Sequence, residues 1–251
     1  MRRKENADAI LQDTCEVGEN LMRLMVRLFL ILLSSGCATP TPYEQLMKTY
    51  HEAPICCESM KDFAFESIGI GDSVSFDLDE NSPAFLFQTG KSYFKAYAIP
   101  QSSYPYQVSI KSYMLGEQSE SAYIFYPRII TLDEEFRVER STDLQCFQIL
   151  RVGFLEWLKQ PGALWYKIEG SIAFTEENSS EKYLVIITTD ELLHAKTPLS
   201  RVQLLRIPTP IPDMPGAAIL VPIGKEEVLV PHMPSGRITI SVFPQGKAGN
   251  R

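Results

Sequence analysis

The sequence predicts an all-β protein, an antiparallel β-sandwich of jelly-roll or immunoglobulin-like type with one short N-terminal helix. From Phe63 onward, short runs of β-branched and aromatic residues alternate with turn residues. Several runs, such as residues 74–78, alternate apolar and polar residues with the period of two that a half-buried strand requires. Because about ten such runs follow one another and helical patterns are few, two packed antiparallel sheets are expected.

Composition and charge set limits on the function. The chain has 251 residues, of which 45% are hydrophobic and 22% charged, as is typical of a globular protein. The formal net charge is −7. A phosphate backbone attracts a basic surface, so this acidic balance argues against a nucleic-acid partner.

The N-terminal region has the pattern of a secretory signal. Residues 22–27 include two arginines, residues 28–33 are all apolar, and Ser34, Ser35 and Gly36 precede Cys37. A basic segment, a short apolar segment and small residues in this order are typical of a signal peptide. The apolar run is well short of the ~20 residues that span a bilayer. We therefore assign residues 1–36 to a signal region and exclude them from the fold.

The first 21 residues do not fit the basic start of a signal peptide. They contain five acidic residues. We interpret residues 1–21 as an over-called start, with Met22 or Met25 as the true first residue.

Cys37 is the predicted lipidation site. A cysteine directly after small residues resembles the bacterial lipobox, in which the cysteine receives lipid and becomes the mature N-terminus. One position departs from that pattern, since Ser34 stands where leucine is usual. Ordinary signal-peptidase cleavage nearby and an uncleaved segment are the alternatives. Because Ala38 rather than aspartate follows Cys37, we expect a periplasmic protein tethered to the outer membrane.

Secretion also determines how the remaining cysteines are interpreted. Cys56 and Cys57 are adjacent in the sequence, and adjacent cysteines are poorly placed to form a disulfide with each other. In an oxidising compartment we therefore expect one disulfide between Cys146 and either Cys56 or Cys57. The sequence has no CxxC motif and no histidine at the spacing from a cysteine that a zinc site requires. No metal site and no cofactor are predicted.

The mature chain divides into a tether, one domain and a tail. Residues 37–60 are expected to be a lipidated tether with a short helix, which a capping box at residues 41–44 begins and Pro54 ends. Residues 61–246 form the single β-sandwich domain, and residues 247–251 are the tail. Weaker helical patterns lie at residues 190–194 and 200–205, and the proline-rich residues 207–216 predict a surface connection. The predicted strands are residues 74–78, 85–87, 93–99, 108–112, 122–126, 147–152, 163–174, 183–189, 218–221, 227–230 and 237–242.

Four ordered motifs resemble the periplasmic maltose-operon protein (MalM) family. They are residues 82–97 (SPAFLFQTGKSYFKAY), 124–127 (IFYP), 183–189 (YLVIITT) and 231–236 (PHMPSG), and the resemblance extends over roughly residues 60–244. It implies a secreted envelope protein associated with maltodextrin uptake and without an assigned reaction. Maltodextrin is then the expected ligand, and components of maltose uptake are the expected protein partners.

The motifs of common hydrolases are missing. The sequence has neither G-x-S-x-G nor H-E-x-x-H. His232 lies just before a strand, where we expect its ring to pack or to bond with the backbone. Paired acids such as Glu134 and Glu135 lie at strand ends or turns, where solvated carboxylates are normal. We therefore predict a protein that is not an enzyme.

Aromatic residues supply the candidate ligand site. Tyrosine rings stack on the C–H faces of sugars, and Tyr104-Pro105-Tyr106 lies in a loop rich in serine and proline. We predict Tyr104 and Tyr106 as ligand-binding residues, and expect Trp157 to fill the core or cover a sheet edge. Two functions remain: an envelope accessory lipoprotein with weak glucan binding, or a structural or assembly partner acting through protein–protein contacts.

Overall fold

The computed structural model describes residues 42–101, 104–116, 121–142, 146–208 and 218–245. The signal region, Cys37 and the tail 247–251 lie outside these ranges. The described chain is mostly β-strand, and its strands form several largely antiparallel sheets, as the sequence predicts. No helix within these ranges is both long and apolar enough to cross a membrane.

Two five-stranded sheets make up the body. In spatial order the first sheet contains β1 (Glu66–Ser67), β5 (Lys95–Ala98), β11 (Tyr183–Ile187), β7 (Arg128–Leu132) and β8 (Val138–Ser141). The second contains β2 (Ser73–Leu78), β14 (Gly236–Pro244), β6 (Tyr106–Leu115), β10 (Ala163–Phe174) and β9 (Phe147–Arg151). Neighbouring strands are antiparallel except for β1 and β5, which are parallel.

Hairpins and short helices complete the described chain. One hairpin pairs β3 (Ala84–Phe87) with β4 (Gly90–Tyr93), and a longer one pairs β12 (Lys196–Pro208) with β13 (Ala218–Pro231). The helices are α1 (Pro42–Glu52), α2 (Phe154–Trp157) and α3 (Asp190–Leu193). Short 3-10 turns lie at Met60–Asp62 and Glu176–Asn178.

The main core lies between the facing sides of the two sheets. Ile110 and Ile240 of the second sheet belong to the same buried cluster as Leu184 and Ile186 of the first. Successive strand residues point to opposite faces, so apolar residues such as Val108 and Ile110 face the core, while the other face of the same strand carries polar residues such as Ser109 and Lys111. That alternation is the signal that predicted the sandwich.

The central strands of the first sheet, β7 and β11, are buried on both faces. Val185 and Ile187 alternate with the core residues and belong to a second buried cluster with Phe63, Phe87 and Phe94. The Phe63 and Phe94 rings are 4.0 Å apart. Burial on both faces explains why residues 184–187 are an unbroken apolar run rather than an alternating one.

Helix α1 packs against the domain rather than serving as a free tether. The Tyr50 ring is buried, and its hydroxyl donates to the carbonyl oxygen of Lys91. The Lys91 ammonium in turn donates to the carbonyl oxygens of His51 and Ala53, just where the helix ends. A cation at the carboxyl end satisfies carbonyls that have no partner within the helix.

Several element predictions are confirmed and others are wrong. β10 has the predicted bounds, α1 begins at the predicted capping box, and α3 lies within the weak helical pattern of residues 190–194. Residues 122–126 are wrong as a strand, since they form only isolated bridges, and residues 200–205 are strand rather than helix.

β7 and β8 were not predicted, and residues 93–99 divide between β4 and β5 because the chain passes from the small hairpin to the first sheet. Residues 209–217 of the proline-rich stretch lie outside the described ranges.

Candidate functional site

Of the two predicted ligand-binding tyrosines, Tyr104 and Tyr106, only one is accessible. Tyr106 begins β6, is 0% exposed, and stacks on Phe174 with the ring centroids 5.0 Å apart. Its hydroxyl donates to the carbonyl oxygen of Pro100 at 2.9 Å. The prediction that Tyr106 binds ligand is therefore wrong, because it is a core residue on the inward face of its strand. Tyr104 stacks on the other side of Tyr106 at 5.4 Å and is half-buried, so it alone keeps accessible surface.

A buried ion pair lies beside Tyr104. The guanidinium of Arg140 is 2.9 Å from the buried carboxylate of Glu181 and also lies over the Phe174 ring. Burial, and then the charge of Glu181, raise the pKa of Tyr104. The phenol is therefore protonated at neutral pH, and its oxygen atom is buried within the domain.

The predicted disulfide partner is wrong. Cys56 and Cys57 are bonded to each other, and Cys146 is a free, exposed thiol. The position of the two segments explains the difference. Cys57 packs on the phenylalanine cluster that covers the first sheet, whereas Cys146 directly precedes β9 at the edge of the second. The first sheet and the main core lie between them.

His232 has the structural role expected of it. The ring is buried, with Nδ1 2.8 Å from the carbonyl oxygen of Leu192 and Nε2 2.8 Å from the hydroxyl of Thr197. A carbonyl can only accept, so Nδ1 carries the proton and Nε2 accepts from Thr197. Both ring nitrogens are engaged. Burial lowers the pKa of His232, so the imidazole is neutral at neutral pH.

The His232 environment predicts a specific pH dependence of stability. The unfolded histidine has a pKa of about 6.5 and the folded one a lower pKa, so below pH 6.5 the unfolded chain binds more protons. The free energy of unfolding should therefore fall as the pH falls from about 7 towards 5, by at most about 1.4 kcal/mol per pH unit from this group. Urea unfolding across this range should show a smaller slope in His232→Asn. An equal slope in the His232 variant would contradict the assignment.

A bulge in β10 builds a pocket that the sequence did not predict. Ala163 pairs with Leu115 and Lys167 with Tyr113, so three residues of β10 lie opposite the single residue Met114. Bulges redirect side chains and are frequent beside functional sites. The bulged residues and the base of the β12–β13 hairpin form a shallow, mainly apolar pocket of about 70 Å³. Its lining residues are Met114, Leu164, Trp165, Tyr166, Leu199, Ser200, Val228 and Val230.

Trp165 gives this pocket an exposed aromatic wall. The residue is 48% exposed and stacks on Trp157 at 4.8 Å, with the two rings 13° from parallel. The Trp157 indole N–H donates to the carbonyl oxygen of Ala163 at 2.7 Å. The guanidinium of Arg151 lies 5.7 Å from the centre of the Tyr166 ring. A supported indole with a hydroxyl and a guanidinium nearby can stack on a sugar ring and bond its hydroxyl groups.

A partly buried cluster of charged side chains fixes α2, the helix that carries Trp157, against β10. Glu156 of α2 lies 2.8 Å from the Lys167 ammonium and 3.2 Å from Lys111, and accepts from the Tyr113 hydroxyl at 2.9 Å. Lys167 also pairs with Glu169 at 2.8 Å. Burial opposes both charges, but the hydrogen bonds outweigh it: the pKa of Glu156 is lowered and that of Lys167 is raised.

Sequence reasoning missed Trp165 because its exposure depends on the bulge. The sequence gives Trp165 no more than a position within a predicted strand, and nothing local marks the change of register. Trp157 packs on Tyr113, Val152 and Ala163 and stacks on Trp165 of β10, one strand inside the sheet edge. Across the described ranges, no cluster of histidine, cysteine or acidic side chains is arranged to hold a metal ion.

Comparison with known proteins gives one match. The model of the family described as maltose operon periplasmic protein precursor (MalM) matches residues 89–206. The matched segment contains Tyr104, the pocket residues Trp165 and Tyr166, and Trp157, which stacks on Trp165. No curated protein and no solved structure shows significant similarity to this chain.

Proposed function

Because the model of the maltose operon periplasmic protein (MalM) family matches residues 89–206, we propose that this chain is a non-enzymatic accessory protein of maltodextrin uptake in the periplasm. The family resemblance supplies the ligand class. The contact with the glucan is assigned to the Trp165 ring, which lies at the edge of an apolar pocket and stacks on Trp157.

Binding of linear α-glucans at this pocket should be weak. The lining is mainly apolar, with Ser200 as its one hydroxyl side chain other than the Tyr166 phenol. A glucan carries no charge to pair with Arg151, so stacking supplies most of the affinity. We expect dissociation constants on the order of micromolar to millimolar, improving with chain length.

Calorimetry with maltose through maltoheptaose tests the proposal. Trp165→Ala should weaken glucan binding at least about tenfold, or ~1.4 kcal/mol, because it removes the exposed stacking face. Tyr104→Ala is the matched control, since it removes the accessible tyrosine that the sequence predicted as a ligand residue and leaves the pocket intact. A loss confined to Tyr104→Ala would move the site to Tyr104, as the sequence predicted. No heat with any glucan would reject glucan binding and favour the assembly partner.

The absence of turnover is tested separately. The proposal follows from the missing hydrolase motifs and from His232, whose ring nitrogens are both engaged. Purified protein incubated with maltoheptaose should release no glucose. Release that disappears when an acidic pair is replaced would show an enzyme.

We propose further that Cys37 is lipidated and tethers the protein to the outer membrane. The order of basic, apolar and small residues before Cys37 supports this. Only residues 38–41 separate Cys37 from α1, so a lipid there would hold the domain close to the membrane surface. Cys37→Ser should release the protein from the membrane fraction and remove the lipid from its mass. Cys146→Ser, which removes the free, exposed thiol, is the control and should change neither, and an unchanged Cys37→Ser fraction and mass would reject lipidation.

The alternative function is an assembly partner of the envelope, in which components of maltose uptake are the bound proteins. The observation that favours it is the apolar surface of α2, where Phe154 and Leu155 are exposed. Both functions agree with the family match.

A further inference from the structure

The disulfide between Cys56 and Cys57 joins two residues that are neighbours in the chain. A structural disulfide stabilises a fold mainly by restricting the unfolded chain, and the effect grows with the length of the loop that it closes. Two adjacent residues stay together in the unfolded chain whether or not their sulfur atoms are bonded. The bond therefore adds little to the stability of the domain, and its role must lie in its chemistry.

The two sulfur atoms of this disulfide differ in accessibility. Cys56 is exposed, whereas Cys57 is half-buried and packs on the cluster that contains Phe63, Phe87 and Phe94. The rate of thiol–disulfide exchange depends on which sulfur is attacked and on access to it. An incoming thiolate therefore reaches Sγ of Cys56, and Cys57 is the leaving group.

Backbone contacts hold this segment independently of the bond between the sulfur atoms. The Cys56 N–H donates to the carbonyl oxygen of Ala84 at 2.9 Å, and Ile55 forms a parallel bridge with the same residue. Just after the pair, Ser59 and Asp62 form a capping box at the start of a 3-10 turn. Because the segment is anchored on both sides, reduction should leave the fold intact and the two thiols close enough to bond again.

Cys146 does not compete for either sulfur atom. It is a free thiol that directly precedes β9 in the second sheet, and the first sheet and the main core lie between it and Cys57. Exchange of Cys146 with the pair inside one folded molecule is therefore blocked. In the folded protein the co-reactant of Cys56 must be a thiol on another molecule.

The proximity of Cys57 determines what kind of thiol can complete the reaction. A monothiol that has bonded to Cys56 is expelled when the neighbouring Cys57 thiolate attacks Cys56 and restores the original disulfide. A dithiol competes with this reversal, because its second thiol attacks within the same mixed disulfide. The co-reactant is therefore a dithiol.

We propose that Cys56 and Cys57 form a reversible thiol–disulfide exchange site for a dithiol co-reactant. A thiolate of the co-reactant bonds to Sγ of Cys56, the bond between the two cysteines breaks, and Cys57 leaves as a thiolate that takes a proton from water. The second thiolate of the co-reactant then displaces Cys56, which is protonated in the same way. Two electrons pass to the pair, the co-reactant becomes a disulfide, and the reverse sequence re-forms the bond. This reaction does not depend on glucan binding.

Reduction of the purified, folded protein by thioredoxin, a dithiol, tests the proposal. With equal amounts of reduced and oxidised thioredoxin, the reduced pair should exceed the oxidised pair at least about tenfold, because exposed disulfides are reduced more readily than structural ones. Alkylation and peptide mass spectrometry assign each thiol to its cysteine. Excess oxidised glutathione should restore the bond, and the unfolding temperatures of the two forms should agree within about 4 °C. Thiols that appear only in denaturant would overturn the proposal, and so would a pair that does not bond again.

A matched pair of variants tests the order of attack. Cys57→Ser leaves the exposed Cys56 thiol, and Cys56→Ser leaves the half-buried Cys57 thiol. Reaction with oxidised glutathione should be at least about tenfold faster in Cys57→Ser, which should keep the bound glutathione, whereas the wild type should expel it. Cys146 is present in every protein as the reference for an exposed thiol.

Thermal unfolding confirms that both variants are folded. Equal rates in the two folded variants would contradict attack at Cys56. Glutathione that stays on Cys56 of the wild type would contradict the requirement for a dithiol.

Discussion

Replacing Tyr106 with alanine is expected to lower the free energy of unfolding by about 4 kcal/mol. The Tyr106 ring is fully buried between Tyr104 and Phe174, and its removal leaves a cavity that the two sheets cannot close. The variant also loses the hydrogen bond to the carbonyl oxygen of Pro100. Urea unfolding of both proteins gives the difference directly.

Tyr104→Ala is the matched control for that measurement. Tyr104 has the same ring chemistry and is half-buried, so its loss should cost about 1 kcal/mol. Equal, small effects of the two replacements would place Tyr106 at the surface and restore the aromatic loop as a ligand platform. A large effect at Tyr106 alone assigns it to the core.

The second large effect is expected at Lys167, whose side chain is only 7% exposed. Lys167→Met should lower the free energy of unfolding by about 3 kcal/mol, because it leaves the carboxylates of Glu156 and Glu169 partly buried without their shared ammonium. Lys159→Met is the control, since Lys159 is exposed and its loss should cost less than about 0.5 kcal/mol.

The same variant should change the response to acid. In the wild type the pKa of Glu156 is lowered, so this carboxylate stabilises the fold above its unfolded pKa near 4.5 and loses that effect as the pH falls. The deficit of Lys167→Met should therefore be largest at neutral pH and shrink below about pH 4. A second replacement, Glu156→Gln, should restore part of the stability by removing one unpaired charge. A deficit that stays constant with pH would show that lost packing, rather than lost charge pairing, accounts for it.

Sequence by itself determined the elements whose signals are local. β10 was predictable because its alternation runs through consecutive residues, and α1 because its capping box and the proline beyond its end are close in the chain. The motifs that resemble the MalM family are equally local, and the family model matches residues 89–206. The division of residues 93–99 into two strands was not predictable, since nothing in the sequence near Phe94 shows that β4 and β5 belong to different sheets.

Tertiary structure alone decided which side chains are accessible and which meet. Tyr104 and Tyr106 look alike in the sequence, but only Tyr106 points between the sheets. Cys146 could be reached from Cys56 or Cys57 along the chain, yet the first sheet and the core separate them. Trp165 is exposed because three residues of β10 oppose one of β6, a mismatch that exists only once the strands have paired. In each case the deciding contact joins residues far apart in the chain, and no local pattern carries that information.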